Sequence, residues 1–148
     1  MKADLFEGQI TSAEDAMRFV YAGRALFTLV SRRTQRRFTF KVNSARSNRE
    51  ANTRFVRVLS GPDNETSYLY LGYLNAAKPG TMLPGKKGHP EAESYRALAW
   101  TVKQLAAGKM PEDLEFYHSG KCGCCGRTLT VPESIRSGLG PVCAGKHK

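Results

Sequence analysis

Apolar and polar residues alternate with period two in two stretches, and each stretch is split by a polar break. Ala25 to Ser31 and Arg36 to Val42 read as strands joined by Arg32-Arg33-Thr34-Gln35. In the second of these strands Phe38, Phe40 and Val42 share one face, and Arg37, Thr39 and Lys41 share the other. Thr53 to Ser60 and Ser67 to Leu74 form a second pair around Gly61-Pro62-Asp63-Asn64-Glu65. There Phe55, Arg57 and Leu59 oppose Arg54, Val56 and Val58. Strict alternation also puts Tyr68, Tyr70 and Gly72 on one face and Leu69, Leu71 and Tyr73 on the other.

Two stretches change to the helical period. Ser12 is a cap residue followed by Glu14 and Asp15, with Ala13, Ala16, Met17 and Val20 at helical spacing and Gly23 as a stop; Phe19 and Tyr21 flank that stripe. Glu91 to Ala107 lines Tyr95, Leu98, Ala99, Val102, Leu105 and Ala106 along one side, with Trp100 off its centre and Gly108 following. Residues 43–52 and 75–90 lack large apolar periodicity and are rich in turn formers, so they read as loops. Leu114 to His118 reads as a short extended lead into the cysteine-bearing C-terminal stretch. The pattern predicts an α+β fold: an N-terminal helix, a four-stranded mostly antiparallel sheet, a long packing helix and a C-terminal zinc-ribbon or treble-clef-like module. The expected division is residues 1–114 for the α+β domain with its basic hairpin and 115–148 for the module.

The module is expected because His118 to His147 contains all four cysteines and two of the three histidines. Cys122 and Cys125 form a Cys-x2-Cys pair beside glycines, which let the backbone turn both thiolates toward one ion. Cys143 follows after 17 residues, near the spacing of a second ligand pair in zinc sites, but Lys146 stands where a fourth cysteine would complete it. His118 is the preferred fourth ligand, His147 is the alternative, and Cys124 is read as a thiol outside the set. Three cysteines and a histidine close a tetrahedron around one structural Zn2+ and leave no position for activated water. Thr130-Val131-Pro132-Glu133 has the form of a capping box and predicts a short helix between the ligands. Buried reduced cysteines or a disulfide pair are the main alternatives to zinc, ahead of an iron–sulfur cluster and of a thioredoxin-like redox pair, which lacks a strand-to-helix context here.

The run CGRTLTVPESIRSGLGPVC, from Cys125 to Cys143, resembles a small family of phage and bacterial proteins of unknown function. Its shared pattern, traced here from Cys122, is Cys-x2-Cys-Gly-Arg-x-Leu-Thr-x-Pro-x-Ser and then Gly-x-Gly-Pro-x-Cys. FTLVSRRTQRRFTFKV and VRVLSGPDNETSYLYLGYL are similar to longer phage-encoded members in which this finger ends a strand-rich domain. The resemblance implies a phage protein with a metal site, and it implies no activity.

Charge then narrows the function. The chain of 148 residues carries a net charge of +10, and 41% of it is hydrophobic, as in a soluble globular protein. Residues 1–60 hold twelve basic and five acidic groups (+7), while residues 61–120 hold six and seven (−1). From Arg18 to Arg57 there are eleven basic residues against one acid, Glu50, and ten of the eleven are arginine, whose planar donors suit phosphate. Arg32, Arg33, Arg36 and Arg37 at the first hairpin, with Arg46 and Arg49 in the following loop, are the candidate nucleic-acid contacts, and ring-bearing strands can stack bases. DNA and RNA are not distinguished. The alternative is a zinc-stabilised module docking on an acidic host protein, as a phage accessory factor. Gly85-Lys86-Lys87-Gly88 lacks the spacing of a phosphate-binding loop, and His89 reads as a surface residue. No paired carboxylates and no nucleophile beside a base stand out; Cys124 is the one thiol left for covalent chemistry, so an enzyme is not expected. The N-terminal segment has no apolar signal core, and a cytoplasmic, reducing compartment is expected, with no membrane partner.

Overall fold

A computed structural model describes residues 8–44, 52–60, 68–118, 121–123 and 138–139. The described residues form β1 (Gly8–Ile10), α1 (Ala13–Val20), β2 (Arg24–Ser31), β3 (Arg37–Ser44), β4 (Thr53–Leu59), β5 (Tyr68–Asn75), β6 (Met82–Leu83), α2 (Glu93–Ala106) and β7 (Leu114–His118). All seven strands join one antiparallel sheet of order β1-β7-β2-β3-β4-β5-β6.

The expected four-stranded sheet is thereby corrected to seven strands. β1 and β6 have three and two residues, too few to display alternation in a sequence. β7 does not lead away from the sheet. It enters it between β1 and β2, pairing Phe116 with Ile10 on one side and Leu29 on the other, because Phe116 and His118 are apolar-facing alternates that need cover. The expected domain division at residue 114 thus falls at the first residue of a sheet strand. The expectation of one long helix over the sheet is corrected as well: α1 and α2 pack against each other and share one face. A zinc-ribbon or treble-clef-like module is likewise not what the structure describes, since among the described residues no three His, Cys, Asp or Glu side chains gather as a metal site.

Local chemistry accounts for both helices. Ser12 Oγ accepts the Asp15 N–H at 3.3 Å, capping α1, and Glu14 and Asp15 meet the positive end of its dipole. Phe19, outside the stripe read from spacing, is fully buried along with Ala16 and Val20, whereas Met17 is only partly covered. α2 buries Tyr95, Leu98, Val102 and Leu105 and leaves Trp100 50% exposed.

The core is a cluster of rings under α1. Phe27 on β2 stacks on Phe116 of β7, with ring centroids 4.8 Å apart and planes at 11°, and Phe40 lies 5.6 Å from Phe27. Phe19 meets Phe27 and Phe116 edge-on at 6.1 and 6.0 Å, the arrangement ring quadrupoles favour. Val42, Val56, Val58, Leu71 and Leu74 continue the buried face toward the far strands. Neither described helix is long and apolar enough to cross a membrane.

Phe116 is fully buried in this cluster and pairs across both of its neighbours. Phe116→Ala should lower unfolding free energy by about 3–5 kcal/mol in urea titration. Trp100→Ala, on the exposed side of α2, should change it by less than about 1 kcal/mol.

Candidate functional site

The helices cover one face of the sheet, so the alternate residues of each strand project from the other. The register places Arg37, Thr39 and Lys41 of β3, Phe55, Arg57 and Leu59 of β4, and Tyr68, Tyr70 and Tyr73 of β5 on that second face. Tyr73 joins the other two tyrosines through a β-bulge. Val56 pairs with Gly72 and Arg57 with Tyr70, so Leu71 is the extra residue, and it turns inward, fully buried. Strict alternation puts Tyr73 on the opposite face from Tyr70. Gly72 inside the strand is the one signal of the irregularity in the sequence. A Cβ there would come within 2.4 Å of the Leu83 carbonyl oxygen, so glycine is also what allows β6 to lie this close.

The result is a set of rings alternating with cations. Lys41 Nζ lies 4.3 Å from the centre of the Tyr68 ring, Arg57 Cζ lies 5.8 Å from that of Tyr70, and Phe55 lies 6.2 Å from Tyr70. Ammonium and guanidinium groups are attracted to ring faces at these distances. Burial raises the phenol pKa values of Tyr68 and Tyr70, with Arg57 opposing the shift at Tyr70. Beside them Phe55, Arg57, Tyr70 and Tyr73 form the floor of a groove of about 740 Å³, and Lys86 and Lys87, from the β6–α2 connection, stand at its side. The His89 N–H donates to the Leu71 carbonyl at 2.9 Å, tying that connection to the bulge. None of the described residues lining the groove is acidic.

The arginines singled out in the sequence are distributed differently. Arg32 Nε donates to Glu115 Oε2 at 2.8 Å and its Nη1 donates to the Glu112 carbonyl at 3.0 Å, while Arg36 pairs with Glu93 of α2. Arg33 and Arg36 border a second groove on the helix side with Phe38, Arg96 and Trp100. Arg37 alone of the four points to the second face of the sheet. The hairpin tip therefore does not present its four guanidinium groups together. Arg18 and Arg54 also have structural partners: Arg18 lies 2.8 Å from Asp15, and Arg54 Nε donates to the Tyr21 carbonyl at 2.8 Å, at the negative end of α1. Arg46 and Arg49 lie outside the described residues.

Of the predicted metal donors, His118 and Cys122 are described, and both are fully buried. His118 ends β7, its ring 5.7 Å from that of Phe19, and Gly8 lies flat against it: a Cβ at Gly8 would come within 1.8 Å of Nε2. The Arg24 N–H donates to the Gly123 carbonyl, and the Gly123 N–H donates to the Gly138 carbonyl, at 2.6 and 2.8 Å. Gly138, at φ +79°, also rests on Phe19. The two described ends of the C-terminal segment thus meet over the same ring that touches His118. Cys124, Cys125, Cys143, His147 and the expected helix from Thr130 lie outside the described residues.

Comparison with known proteins adds one match: residues 112–148 match a family of unknown function (DUF6011). No curated protein and no solved structure matches the chain.

Glu115 carries a pH dependence. Its carboxylate accepts the Tyr117 hydroxyl at 2.6 Å and the Arg32 guanidinium, and these hydrogen bonds hold its pKa below the usual value. A depressed folded-state pKa contributes stability above the unfolded value of about 4.3 and loses it as pH falls through the lower folded value. Glu115→Gln should therefore be less stable than the parent near pH 7, with the gap closing below about pH 4 in urea titrations at a series of pH values.

Proposed function

We propose that this is a nucleic-acid-binding protein that neutralises phosphates with the second face of its sheet, and that one structural zinc ion ties down its C-terminal segment. The observation that carries the first part is the groove over β4 and β5, lined by Arg57, Lys86 and Lys87 and by no described acid. Clustered cations without paired carboxylates release counterions when they meet a polyanion, and this drives association. The net charge of +10 acts in the same direction at longer range. This reading takes the sheet face rather than the hairpin tip as the contact surface, and the carboxylate partners of Arg32 and Arg36 support that choice.

The zinc part rests on donor chemistry. An imidazole against the Phe19 ring and a buried thiol next to Gly123, which rests on that ring, suit a zinc ion, and His118, Cys122, Cys125 and Cys143 would hold it, with His147 as the alternative fourth ligand. Cys125 follows Gly123 by two residues and Cys143 follows Leu139 by four, a reach of roughly 7 and 14 Å of extended chain. Bound there, the ion supplies folding free energy rather than a reactive water.

A second reading is favoured by a different feature. The groove on the helix side combines half-exposed Trp100 and partly buried Phe38 with Arg33 and Arg96, and its one acid among the described lining, Glu93, is paired with Arg36, a surface suited to an acidic protein segment with an apolar anchor. A partner retained after nuclease treatment and released by Trp100→Ala supports that reading over the first.

Filter binding across a salt series tests the leading reading. Changing Arg57, Lys86 and Lys87 to Gln should weaken binding to a mixed-sequence oligonucleotide and flatten the slope of log K against log salt by about 2–3, since each phosphate contact contributes about 0.7–0.9. Changing Arg32 and Arg36 should leave the slope nearly unchanged. Salt-insensitive binding, or no binding near 50 mM salt, contradicts it. Elemental analysis should find one zinc per chain, lost in Cys122→Ser; a metal-free parent protein contradicts the zinc assignment.

A further inference from the structure

The second face of the sheet carries more than charge, and its rings narrow the ligand class. We propose that the groove over β4 and β5 takes a single, extended strand of nucleic acid, its bases stacked on Phe55, Tyr70 and Tyr73 and its phosphates held by Arg57, Lys86 and Lys87. This rests on the nucleic-acid reading above and goes beyond it, because phosphate contacts alone would serve a duplex equally well.

Spacing is the first argument. Phe55 pairs with Tyr73 and Arg57 with Tyr70, so the two rungs are two residues apart on β4. At about 3.4 Å per residue they are separated by about 6.8 Å. Stacked bases rise about 3.4 Å per nucleotide along one strand. Successive bases can therefore reach successive rungs only when they are pulled apart from one another, as in an unpaired, extended strand. A duplex keeps its base faces inside its own stack and offers the rings only sugar and phosphate.

The second argument is how the rings come to be there. In a regular strand Tyr70 and Tyr73, three apart, would face opposite sides. The bulge at Leu71 spends a ladder position to bring both to one face, opposite Phe55 and Arg57. Three rings with a guanidinium among them make a stacking platform, and such platforms tolerate any base because every base has a π-face. Tyr70 is a neutral phenol near neutral pH, as any tyrosine is, and burial moves its pKa further up, so it adds no negative charge against the phosphates. Ring faces on the floor with Arg57 among them, and Lys86 and Lys87 beside them, match the two chemistries of a single strand, a charged backbone and flat bases.

Fluorescence anisotropy near 50 mM salt discriminates the outcomes, with four labelled 12-mers of equal length as probes: oligo-dT, oligo-U, an abasic backbone oligomer, and a mixed duplex. The proposal expects oligo-dT or oligo-U to bind at least about fivefold tighter than the abasic oligomer, the effect of one stacked base, and tighter than the duplex. Tyr70→Leu and Phe55→Leu should abolish the preference for oligo-dT or oligo-U over the abasic oligomer, and Tyr70→Phe, which keeps the ring, should retain it. Circular dichroism melting confirms that each variant is folded, and Tyr70→Phe with the abasic comparison still decides the matter if the leucine variants are not. Equal affinity for abasic, unpaired and duplex probes overturns the single-strand inference and leaves the phosphate reading standing. Binding to none of the four overturns both.

Discussion

Both described helices pack on the same face of the sheet, and this asymmetry governs the molecule. A sheet covered on one side buries one set of alternate residues and leaves the other to water or to a partner. The covered set is Phe27, Phe40, Val42, Val56, Val58, Leu71, Leu74 and Phe116, closed over by Phe19, Leu98 and Val102 from the helices. The set that the described helices do not cover includes Tyr68, Tyr70, Tyr73 and Phe55, partly buried rings set among Lys41 and Arg57. The functional reading comes from that second set, whereas stability lives almost wholly in the first.

Phe19 links the sheet to the C-terminal segment. It touches Phe27 and Phe116 within the core, the His118 ring at the end of β7, and the glycines at 123 and 138. A cluster of this kind makes the placement of His118 and Cys122 a consequence of core packing rather than of a separate appendage. With zinc bound, metal affinity and sheet stability would be coupled through one side chain, because whatever shifts Phe19 shifts the neighbourhood of two donors.

Much of the sheet was legible because its long strands obey period two. The hairpins β2–β3 and β4–β5 were placed within a residue or two, and so were both helices, marked by Ser12 and by the Leu98–Val102–Leu105 spacing. What was not legible has physical causes. β1 and β6 are shorter than one full alternation, so they exist only because neighbouring edges offer hydrogen bonds. Leu114 to His118 reads as extended, and β7 has those bounds, but only tertiary pairing shows that it lies inside the sheet between β1 and β2. The bulge at Leu71 moved Tyr73 across the sheet, which no strict alternation anticipates. The charge run was legible as composition, but the sequence could not show which guanidinium groups had partners: Arg32 found Glu115, 83 positions away, and Arg36 found Glu93, 57 away. Those contacts move the candidate interface from the hairpin tip to the middle of the sheet.

The central claim is a location, and ultraviolet cross-linking coupled to peptide mass spectrometry reads location directly. With a photoreactive single-stranded oligonucleotide bound at low salt, the account predicts adducts on the β4 and β5 peptides that carry Phe55, Tyr70 and Tyr73. Adducts confined to the Arg32–Arg36 turn or to α2, with β4 and β5 unmodified, would contradict it.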